Sequence, residues 1–363
     1  MNDELYMRKA LALARKGLGK TSPNPMVGAV IVKRGRIIGQ GYHRRFGGPH
    51  AEIEAIKGAK GSINGATLYV TLEPCCHAGK KTPPCLDTLL KYDLKRAVIG
   101  TIDPNPQVSG RSVKALQKKG IDTKVGLLDE ECRKLNETYF KYIQTAMPFI
   151  TLKFAQTLDG RIATLTGDSR WISSKKSLDW AHRLRSQHDA VMVGVGTVLK
   201  DDPQLTVRLT RGRDPVRVVA DSRLRTPLGA QILKEQDIAQ TIVATTKGAD
   251  LEKQIAIKAL GVDVLVLPED RVGEVNLTEL LKKLGQRNIS SILVEGGATT
   301  ITSFIRQGLV DKLVVIVAPK ILGKGLEAVG DLGIREISRS FKLTFDKAYR
   351  KGEDLIVEAK PRG

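Results

Sequence analysis

The chain has 363 residues, more than one hydrophobic core usually supports, so two domains are expected. Hydrophobic residues make up 41%, which argues against disorder, and the apolar stretch 313–319 has only the length of a buried strand. The formal charge of +20 suits nucleic acid, a phosphorylated small molecule or solubility alone. Because the basic residues are scattered and aromatic residues are only 4%, we expect no nucleic-acid partner and no membrane.

The N-terminus and the cysteines indicate the compartment. The first five residues are acidic and lack the basic and apolar blocks of a secretory signal. Three of the four cysteines, Cys75, Cys76 and Cys85, lie close together, which is not a disulfide framework. We therefore expect a cytoplasmic protein whose cysteine cluster binds a metal or takes part in chemistry.

The first part of the chain alternates helices and strands, which predicts an α/β domain. Helices are predicted at 5–16, 51–57, 84–91, 113–119 and from 129 to about 145. Strands are predicted at 27–32, 37–41, 66–71, 97–101 and 123–125, the first two forming a hairpin. Pro148 cannot continue the last helix, so we place the domain boundary at residue 146.

The second part, 147–363, contains a longer series of apolar strands. They are predicted at 149–154, 190–195, 216–220, 241–244, 262–267, 291–295 and 313–318. Helices at 177–185, 251–259, 277–284 and 299–307 separate several of them, and two alternating strands at 342–348 and 355–359 end the chain. This order predicts a mostly parallel sheet with an antiparallel edge.

Three residues in the first part have the spacing of a zinc site. His50 opens a predicted helix, Cys75 follows a predicted strand, and Cys85 lies in the first turn of the helix after two prolines. One imidazole and two thiolates leave a fourth zinc position for water, and Glu52 is placed to move protons. A structural zinc site is the alternative, but it would leave Glu52 without a role.

With these residues identified, the chain resembles the bifunctional riboflavin-biosynthesis deaminase–reductase family. The resemblance covers nearly the whole length and includes the motifs at 23–30, 50–52, 71–77, 82–85, 103–106, 158–163, 167–172, 194–198, 201–203, 205–208 and 294–297. It implies a cytidine-deaminase-like three-layer domain at 1–146 and a dihydrofolate-reductase-like domain at 147–363. It further implies zinc-dependent deamination of a phosphoribosylated diaminopyrimidinone, followed by NADPH-dependent reduction of its ribosyl group to ribityl.

The resemblance also implies roles for residues of the deaminase domain. His50, Cys75 and Cys85 correspond to the zinc ligands, and Glu52 to the proton shuttle. Residues implied in the substrate pocket are Asn24, His43, His77, Asp103 and Asn105. The loop between the two cysteine ligands is one residue longer than is usual in the family, so either Lys80 or Lys81 takes the family's substrate-facing basic position, or both lie on the surface.

In the second domain, glycines follow two predicted strands, at Gly194–Gly196 and at Gly296–Gly297. The first lacks the third glycine of the dinucleotide fingerprint, and either pair alone is typical of a turn. By the resemblance, the NADPH contacts are Ala155, Trp171, Thr197, Asp201, Ser222, Gly297, Ala298, Thr299, Thr300, Ile301, Thr302 and Ser303. The implied substrate contacts are Lys153, Ser169, Ser173, Arg185, Leu205, Arg208 and Glu295.

Chemistry adds two expectations for this domain. Paired arginines suit a substrate phosphate, because their forked donors bind its oxygens bidentately, although Arg185 and Arg208 could also be ordinary surface charges. Reduction of a sugar needs a proton as well as a hydride, and Asp201 is our candidate catalytic acid.

Two other interpretations of the whole chain assign it to two different functional classes. One is a nucleoside or tRNA deaminase with a non-catalytic C-terminal domain, and the other is a basic RNA-binding protein with a structural zinc. Glu52 and the absence of an aromatic RNA-binding stretch argue against the second. For the enzyme we expect a homo-oligomer that acts on a phosphorylated pyrimidine ribotide.

Overall fold

The computed structural model describes residues 2–77 and 82–362. The chain divides into two compact units, Met1–Ala146 and Met147–Gly363. Within the described ranges, no helix combines the length and the hydrophobicity needed to span a membrane.

In the first unit, a mixed sheet lies between two layers of helices. Its helices are α1 (Asp3–Ala14), α2 (Ala51–Lys57), α3 (Cys85–Leu89), α4 (Arg111–Lys118), α5 (Asp129–Leu135) and α6 (Glu137–Thr145). Its strands are β1 (Gly28–Lys33), β2 (Arg36–Tyr42), β3 (Thr67–Leu72), β4 (Arg96–Thr101) and β5 (Asp122–Val125). The order is β2-β1-β3-β4-β5, with β1 antiparallel to both neighbours and the remaining pairs parallel.

Alternation along β1 explains the two helical layers of this unit. Ala29 and Ile31 belong to the core between the sheet and helices α2, α3 and α4. Val30 and Val32, on the opposite face, belong to the core that contains residues of α1 and Cys132. A Cβ atom at Gly28 would lie 2.0 Å from the carbonyl oxygen of Ala10, so only glycine lets α1 pack this closely. The predicted three-layer architecture is confirmed.

The second unit contains a long sheet flanked by helices. The helices are α7 (Lys175–Ser186), α8 (Val195–Asp201), α9 (Leu251–Ala259), α10 (Leu277–Gln286) and α11 (Ala298–Arg306). The strands are β6 (Phe149–Thr157), β7 (Arg161–Thr164), β8 (Ala190–Gly194), β9 (Val216–Ala220), β10 (Thr241–Thr246), β11 (Asp263–Leu267), β12 (Ser291–Val294), β13 (Lys312–Ala318), β14 (Gly325–Glu327), β15 (Leu343–Lys351) and β16 (Asp354–Pro361).

The main sheet of this unit is parallel except at one edge. Its order is β11-β10-β9-β8-β12-β6-β13-β16-β15, and only the β13–β16 and β16–β15 pairs are antiparallel. The predicted parallel sheet with an antiparallel edge is therefore confirmed. Strands β7 and β14 form a separate antiparallel pair that the sequence did not predict, because both are short.

Two predicted elements were wrong in detail. The single helix expected from 129 to about 145 is two helices, because Asn136 leaves the helical conformation between α5 and α6. The strand predicted at 190–195 ends at Gly194, which caps α8, a helix that the sequence did not predict.

Candidate functional site

The first unit brings His50, Cys75 and Cys85 together from three elements. His50 is the N-terminal cap of α2, Cys75 follows β3, and Cys85 is the first residue of α3. The Nδ1 atom of His50 lies 3.4 Å from Cys75 Sγ and 3.3 Å from Cys85 Sγ. All three ligand atoms lie within 4.8 Å of one another. The imidazole therefore presents Nδ1, not Nε2, to both thiols.

This donor set fits zinc. Ordinary Zn–S and Zn–N bond lengths place the nitrogen and sulfur ligands of a tetrahedral site about 3.6 Å apart, close to the observed separations. A hydrogen bond with Cys75, followed by burial, raises the pKa of the Cys85 thiol. A divalent cation is the counter-charge that would hold two such sulfurs as thiolates.

Glu52 lies beside this cluster and is 3% exposed. Burial raises the pKa of its carboxyl group, and the neighbouring Cys75 raises it further. A raised pKa is the direction of shift that suits a carboxyl group for general acid–base catalysis.

His43 lies edge-on to His50, with ring centroids 5.1 Å apart. Its Nδ1 is 3.0 Å from the Pro49 carbonyl oxygen, and its Nε2 is 3.3 Å from Asn24 Nδ2. Because a carbonyl can only accept, Nδ1 carries the proton and Nε2 accepts from the Asn24 amide. Burial lowers the pKa of His43, so the ring is neutral in this network.

These residues line a cavity of 220 Å³. The five pocket residues predicted from the sequence all lie in its wall, namely Asn24, His43, His77, Asp103 and Asn105. His50, Glu52 and Cys75 also contribute to the wall. The sequence did not identify Tyr139, Tyr142 and Ile143, which reach the cavity from α6. Their spacing at i, i+3 and i+4 on a helix was the available signal.

The other two cysteines of this unit have contacts away from the metal cluster. Cys76 Sγ donates to the Gln107 carbonyl oxygen at 3.6 Å, and Cys132 is buried in the core behind the sheet. Among the described residues, the metal cluster consists of His50, Cys75 and Cys85 without these two cysteines. Lys80 and Lys81 lie outside the described residues.

The second unit contains a larger cavity of 680 Å³. It brings together many of the residues that the sequence assigned to NADPH or substrate, namely Ser169, Thr197, Asp201, Ser222, Gly297, Ala298, Thr299, Thr300 and Ser303. Asp201 is the last residue of α8 and is half-buried. Lys200 and Arg225 also line the cavity and were not predicted.

The ends of β8 and β12 approach each other closely at this cavity. A Cβ atom at Gly194 would lie 2.3 Å from Thr300 Oγ1, and one at Gly296 would lie 3.0 Å from the Gly194 nitrogen. The Gly297 N–H donates to Thr197 Oγ1 at 3.0 Å, which joins the starts of α8 and α11. The first residues of α11 line the cavity, and the N-terminus of a helix suits a phosphate group of a dinucleotide.

Four residues predicted to contact NADPH are not part of the cavity wall among the described residues. Ile301 packs in the core, and Thr302 Oγ1 donates to the Ala298 carbonyl oxygen at 2.6 Å. Ala155 packs against the β13–β16 core, and Trp171 is 66% exposed. The structure therefore gives Ile301 a packing position, since an apolar side chain on the inner face of α11 is buried against the sheet.

Arg185 has a different partner from the expected phosphate. Its guanidinium binds Glu295 in a bidentate pair at 2.9 and 3.2 Å and donates to the Thr206 carbonyl oxygen at 2.6 Å. Lys153 Nζ lies 3.5 Å from the same carboxylate. Burial alone would raise the pKa of Glu295, but Arg185 and Lys153 lower it to about 2. Arg185 is thus paired with Glu295 in this structure, and its contact with substrate stays a prediction.

Arg208 lies next to this ion cluster and is exposed. Its Nη1 donates to Gln204 Oε1 at 2.6 Å and to Thr206 Oγ1 at 3.0 Å, and its backbone N–H donates to His182 Nδ1 at 3.1 Å. Burial, with Arg185 and Arg208, lowers the pKa of His182 to about 4, so this ring is neutral. In the part of the chain that the structure describes, the Arg208 guanidinium donates to two neutral groups, a donor set that suits an added anion.

Two further predicted substrate residues differ in their surroundings. Leu205 is 5% exposed and its side chain packs in the core against β8 and β9, and its contact with substrate stays a prediction. Ser173 is half-buried and immediately precedes the cap of α7.

Comparison with sequence families gives two matches that divide the chain. Residues 1–101 match the cytidine and deoxycytidylate deaminase zinc-binding region, and residues 148–357 match the RibD C-terminal domain. The riboflavin biosynthesis protein RibD of Aquifex aeolicus is 50% identical over 98% of this chain and 97% of its own length. The Escherichia coli protein of the same name is 39% identical over 98% of this chain and 99% of its own.

Solved structures are also similar to this chain. A diaminohydroxyphosphoribosylaminopyrimidine deaminase/5-amino-6-(5-phosphoribosylamino)uracil reductase from Thermotoga maritima is 40% identical, with a TM-score of 0.86, and 99% of each chain is covered. RibD from Acinetobacter baumannii is 35% identical, with a TM-score of 0.89 and the same coverage.

Proposed function

We propose, on the premise that this chain belongs to the RibD family of riboflavin biosynthesis proteins, that its two activities are divided between its two units. The chain is a bifunctional deaminase and reductase of riboflavin biosynthesis that uses zinc and NADPH. Its substrate is a phosphorylated pyrimidine. We assign deamination to residues 1–146 and reduction to residues 147–363.

The deaminase assignment rests on one observation, the convergence of His50, Cys75 and Cys85 beside buried Glu52. A zinc ion bound by these residues supplies a Lewis acid that makes water a nucleophile near neutral pH. Glu52 takes a proton from that water and delivers protons to the ring nitrogen and to the departing ammonia. One water is consumed, and the exocyclic C–N bond is replaced by a carbonyl group.

Asn24, His43, His77, Asp103 and Asn105 bind the pyrimidine in this proposal. The support is their common position in the wall of the 220 Å³ cavity. Neutral His43 and the amide of Asn24 hold each other in one orientation, so the pocket is preorganised before the substrate enters.

The reductase assignment rests on the 680 Å³ cavity at the ends of β8 and β12. NADPH supplies the hydride that no protein side chain can supply. The N–H groups at the start of α11 bind phosphate oxygens of the cofactor, and Asp201 at the end of α8 supplies the accompanying proton. Arg208 binds the substrate phosphate, whereas Arg185 holds Glu295 in place.

Arg225 supports a specific contact with NADPH. It follows β9, the strand next to β8, and lines the same cavity as Ser222. No ion pair of its guanidinium is observed within the residues that the structure describes, whereas Glu274 accepts from Ser222 and Glu327 pairs with Arg161. We assign Arg225 to the 2′-phosphate of NADPH, since the strand beside the glycine turn carries this selectivity in dinucleotide sites.

Membership of the family does not settle three of the predictions. A cytoplasmic location, a homo-oligomer and the absence of nucleic-acid binding remain our proposals. The scattered basic residues and the low aromatic content of the chain support the last of these.

Incubation of the full chain with the diaminopyrimidinone ribotide, followed by mass analysis, tests the proposed function. With zinc alone we expect ammonia release and replacement of one amine by oxygen. With NADPH added we expect two further hydrogens in the product. No mass change with zinc would contradict the deaminase assignment, and deamination without any reduction would contradict the reductase assignment.

Zinc analysis of variants tests the metal site separately. We expect His50→Ala and Cys85→Ser to lose zinc, because each removes one of three ligands. Cys76→Ser is the matched control, since Cys76 bonds to a backbone carbonyl outside the cluster, and it should keep zinc. Full zinc retention by Cys85→Ser would contradict the ligand set.

A further inference from the structure

Helix α6 forms one wall of the cavity that contains Glu52. Tyr139, Tyr142 and Ile143 all line that cavity, and their spacing places them on one face of the helix. Neither motif spacing nor the resemblance pointed to this helix. Its inner face therefore meets whatever the cavity binds.

The start of α6 is fixed to the cavity rim by Asn136. The Asn136 side chain accepts from the Met26 N–H at 2.8 Å and donates to the Met26 carbonyl oxygen at 2.9 Å. Met26 directly follows Asn24 and Pro25, which line the cavity. Asn136 is 2% exposed, so this paired contact is shielded from water. The break between α5 and α6 is thus a fixed joint.

Tyr139 extends from this fixed helix to Asp103. Its hydroxyl donates to Asp103 Oδ1 at 3.0 Å and lies 3.3 Å from Oδ2. Asp103 is 4% exposed, and its Oδ1 also accepts from the Asn105 N–H at 2.9 Å. Burial and the neighbouring Asp103 raise the pKa of Tyr139, so its hydroxyl keeps its proton and acts as the donor.

We propose that Tyr139 is a positioning residue of the deaminase, which orients the Asp103 carboxylate in the cavity wall for contact with N–H groups of the pyrimidine. This inference rests on the proposed function, because it requires a diaminopyrimidinone in the cavity. An ionised carboxylate has about four acceptor positions. Tyr139 and the Asn105 N–H fix its rotation, and a carboxylate held in this way suits a substrate rich in N–H donors.

A double-mutant cycle on the full zinc-loaded chain tests this role. We expect Tyr139→Phe to raise KM for ammonia release roughly 10-fold and to change kcat by less than about 3-fold, since an orienting bond to a charged acceptor mainly affects binding. In the Asp103→Asn background the same change should move KM by less than about 2-fold. Tyr6→Phe is the matched control, because it removes a hydroxyl that donates to the Gly35 carbonyl oxygen on an exposed hairpin.

A binding measurement gives a readout that does not require turnover. In zinc-loaded Glu52→Gln protein, calorimetry should show that Tyr139→Phe weakens substrate affinity roughly 10-fold. An unchanged affinity, or an equal loss in the Asp103→Asn background, would overturn the inference, and so would loss of zinc by Tyr139→Phe. Absence of ammonia release from the unaltered chain would instead overturn the proposed deaminase function itself.

Discussion

The Nε2 atom of His50 lies 3.2 Å from the hydroxyl of Thr82, while Nδ1 of the same ring faces the two cysteine sulfurs. A zinc-bound Nδ1 leaves the proton on Nε2, so His50 donates to Thr82. The hydroxyl thereby fixes the tautomer and the orientation of the ligand.

We predict that Thr82→Val weakens zinc binding by roughly 10- to 100-fold, the range for loss of a hydrogen-bond partner of a metal-bound histidine. Competition with a chromophoric chelator measures the affinity directly. Thr82→Ser keeps the hydroxyl and should remain close to the unaltered protein. Equal affinities for the valine and serine variants would show that the contact does not support the site.

Glu52→Gln should keep zinc and the fold but lose at least about 100-fold in deamination, the lower range for general acid–base catalysis. The amide has the same shape but cannot move a proton. Metal analysis and ammonia release measure the two properties, and reduction of the deaminated product provides the control, which should be nearly unchanged. Normal ammonia release by this variant would mean that another group transfers the proton.

The zinc ligands could be predicted from the sequence, because each lies at the start of a helix or the end of a strand and the local pattern marks those ends. Tyr139 could not, since its partner Asp103 lies 36 residues earlier and nothing local requires that pairing. The break at Asn136 depends on Met26, 110 residues away.

The same limit applies to side-chain contacts in the second unit. Arg185 has the residue type of a phosphate ligand, but the fold places Glu295, 110 residues later, directly opposite it. Leu205 lies within a motif of the resemblance, but the core against β8 and β9 takes up its side chain. Local patterns predicted the elements, whereas long-range packing determined the partners.

The Arg185–Glu295 pair predicts a pH dependence of stability. The pKa of Glu295 is about 2 in the folded protein, below its value of about 4.3 in an unfolded chain. Because the folded pKa is the lower one, the ionised carboxylate stabilises the folded protein above a pH of about 4.3. This contribution to the free energy of unfolding disappears as the pH falls towards about 2. Chemical unfolding of the intact protein should therefore show a loss on the order of 3 kcal/mol across this window that Glu295→Gln does not show.

Two comparisons make this prediction specific. Glu295→Gln should itself be destabilised by about 3–5 kcal/mol at neutral pH, because it leaves Arg185 buried without its counter-charge. Glu279→Gln, which removes an exposed pair with Lys282, should change the unfolding free energy by less than about 1 kcal/mol. A pH profile of Glu295→Gln parallel to that of the unaltered chain would contradict the assigned pair.

The last prediction concerns the choice between NADPH and NADH. The two cofactors differ only in the 2′-phosphate, so a residue that binds this group affects one of them alone. We expect Arg225→Ala to weaken NADPH binding by roughly 10- to 100-fold, because a charge-assisted arginine–phosphate contact is lost, and to leave NADH binding within about 2-fold. Arg223→Ala is the matched control. Arg223 is also an arginine after β9, but it lies 3.7 Å from Glu269 and is absent from the described cavity wall, so both affinities should persist. Titration of cofactor fluorescence against the full chain measures all four values, and an equal loss of NADPH and NADH affinity in Arg225→Ala would show that this arginine does not read the 2′-phosphate.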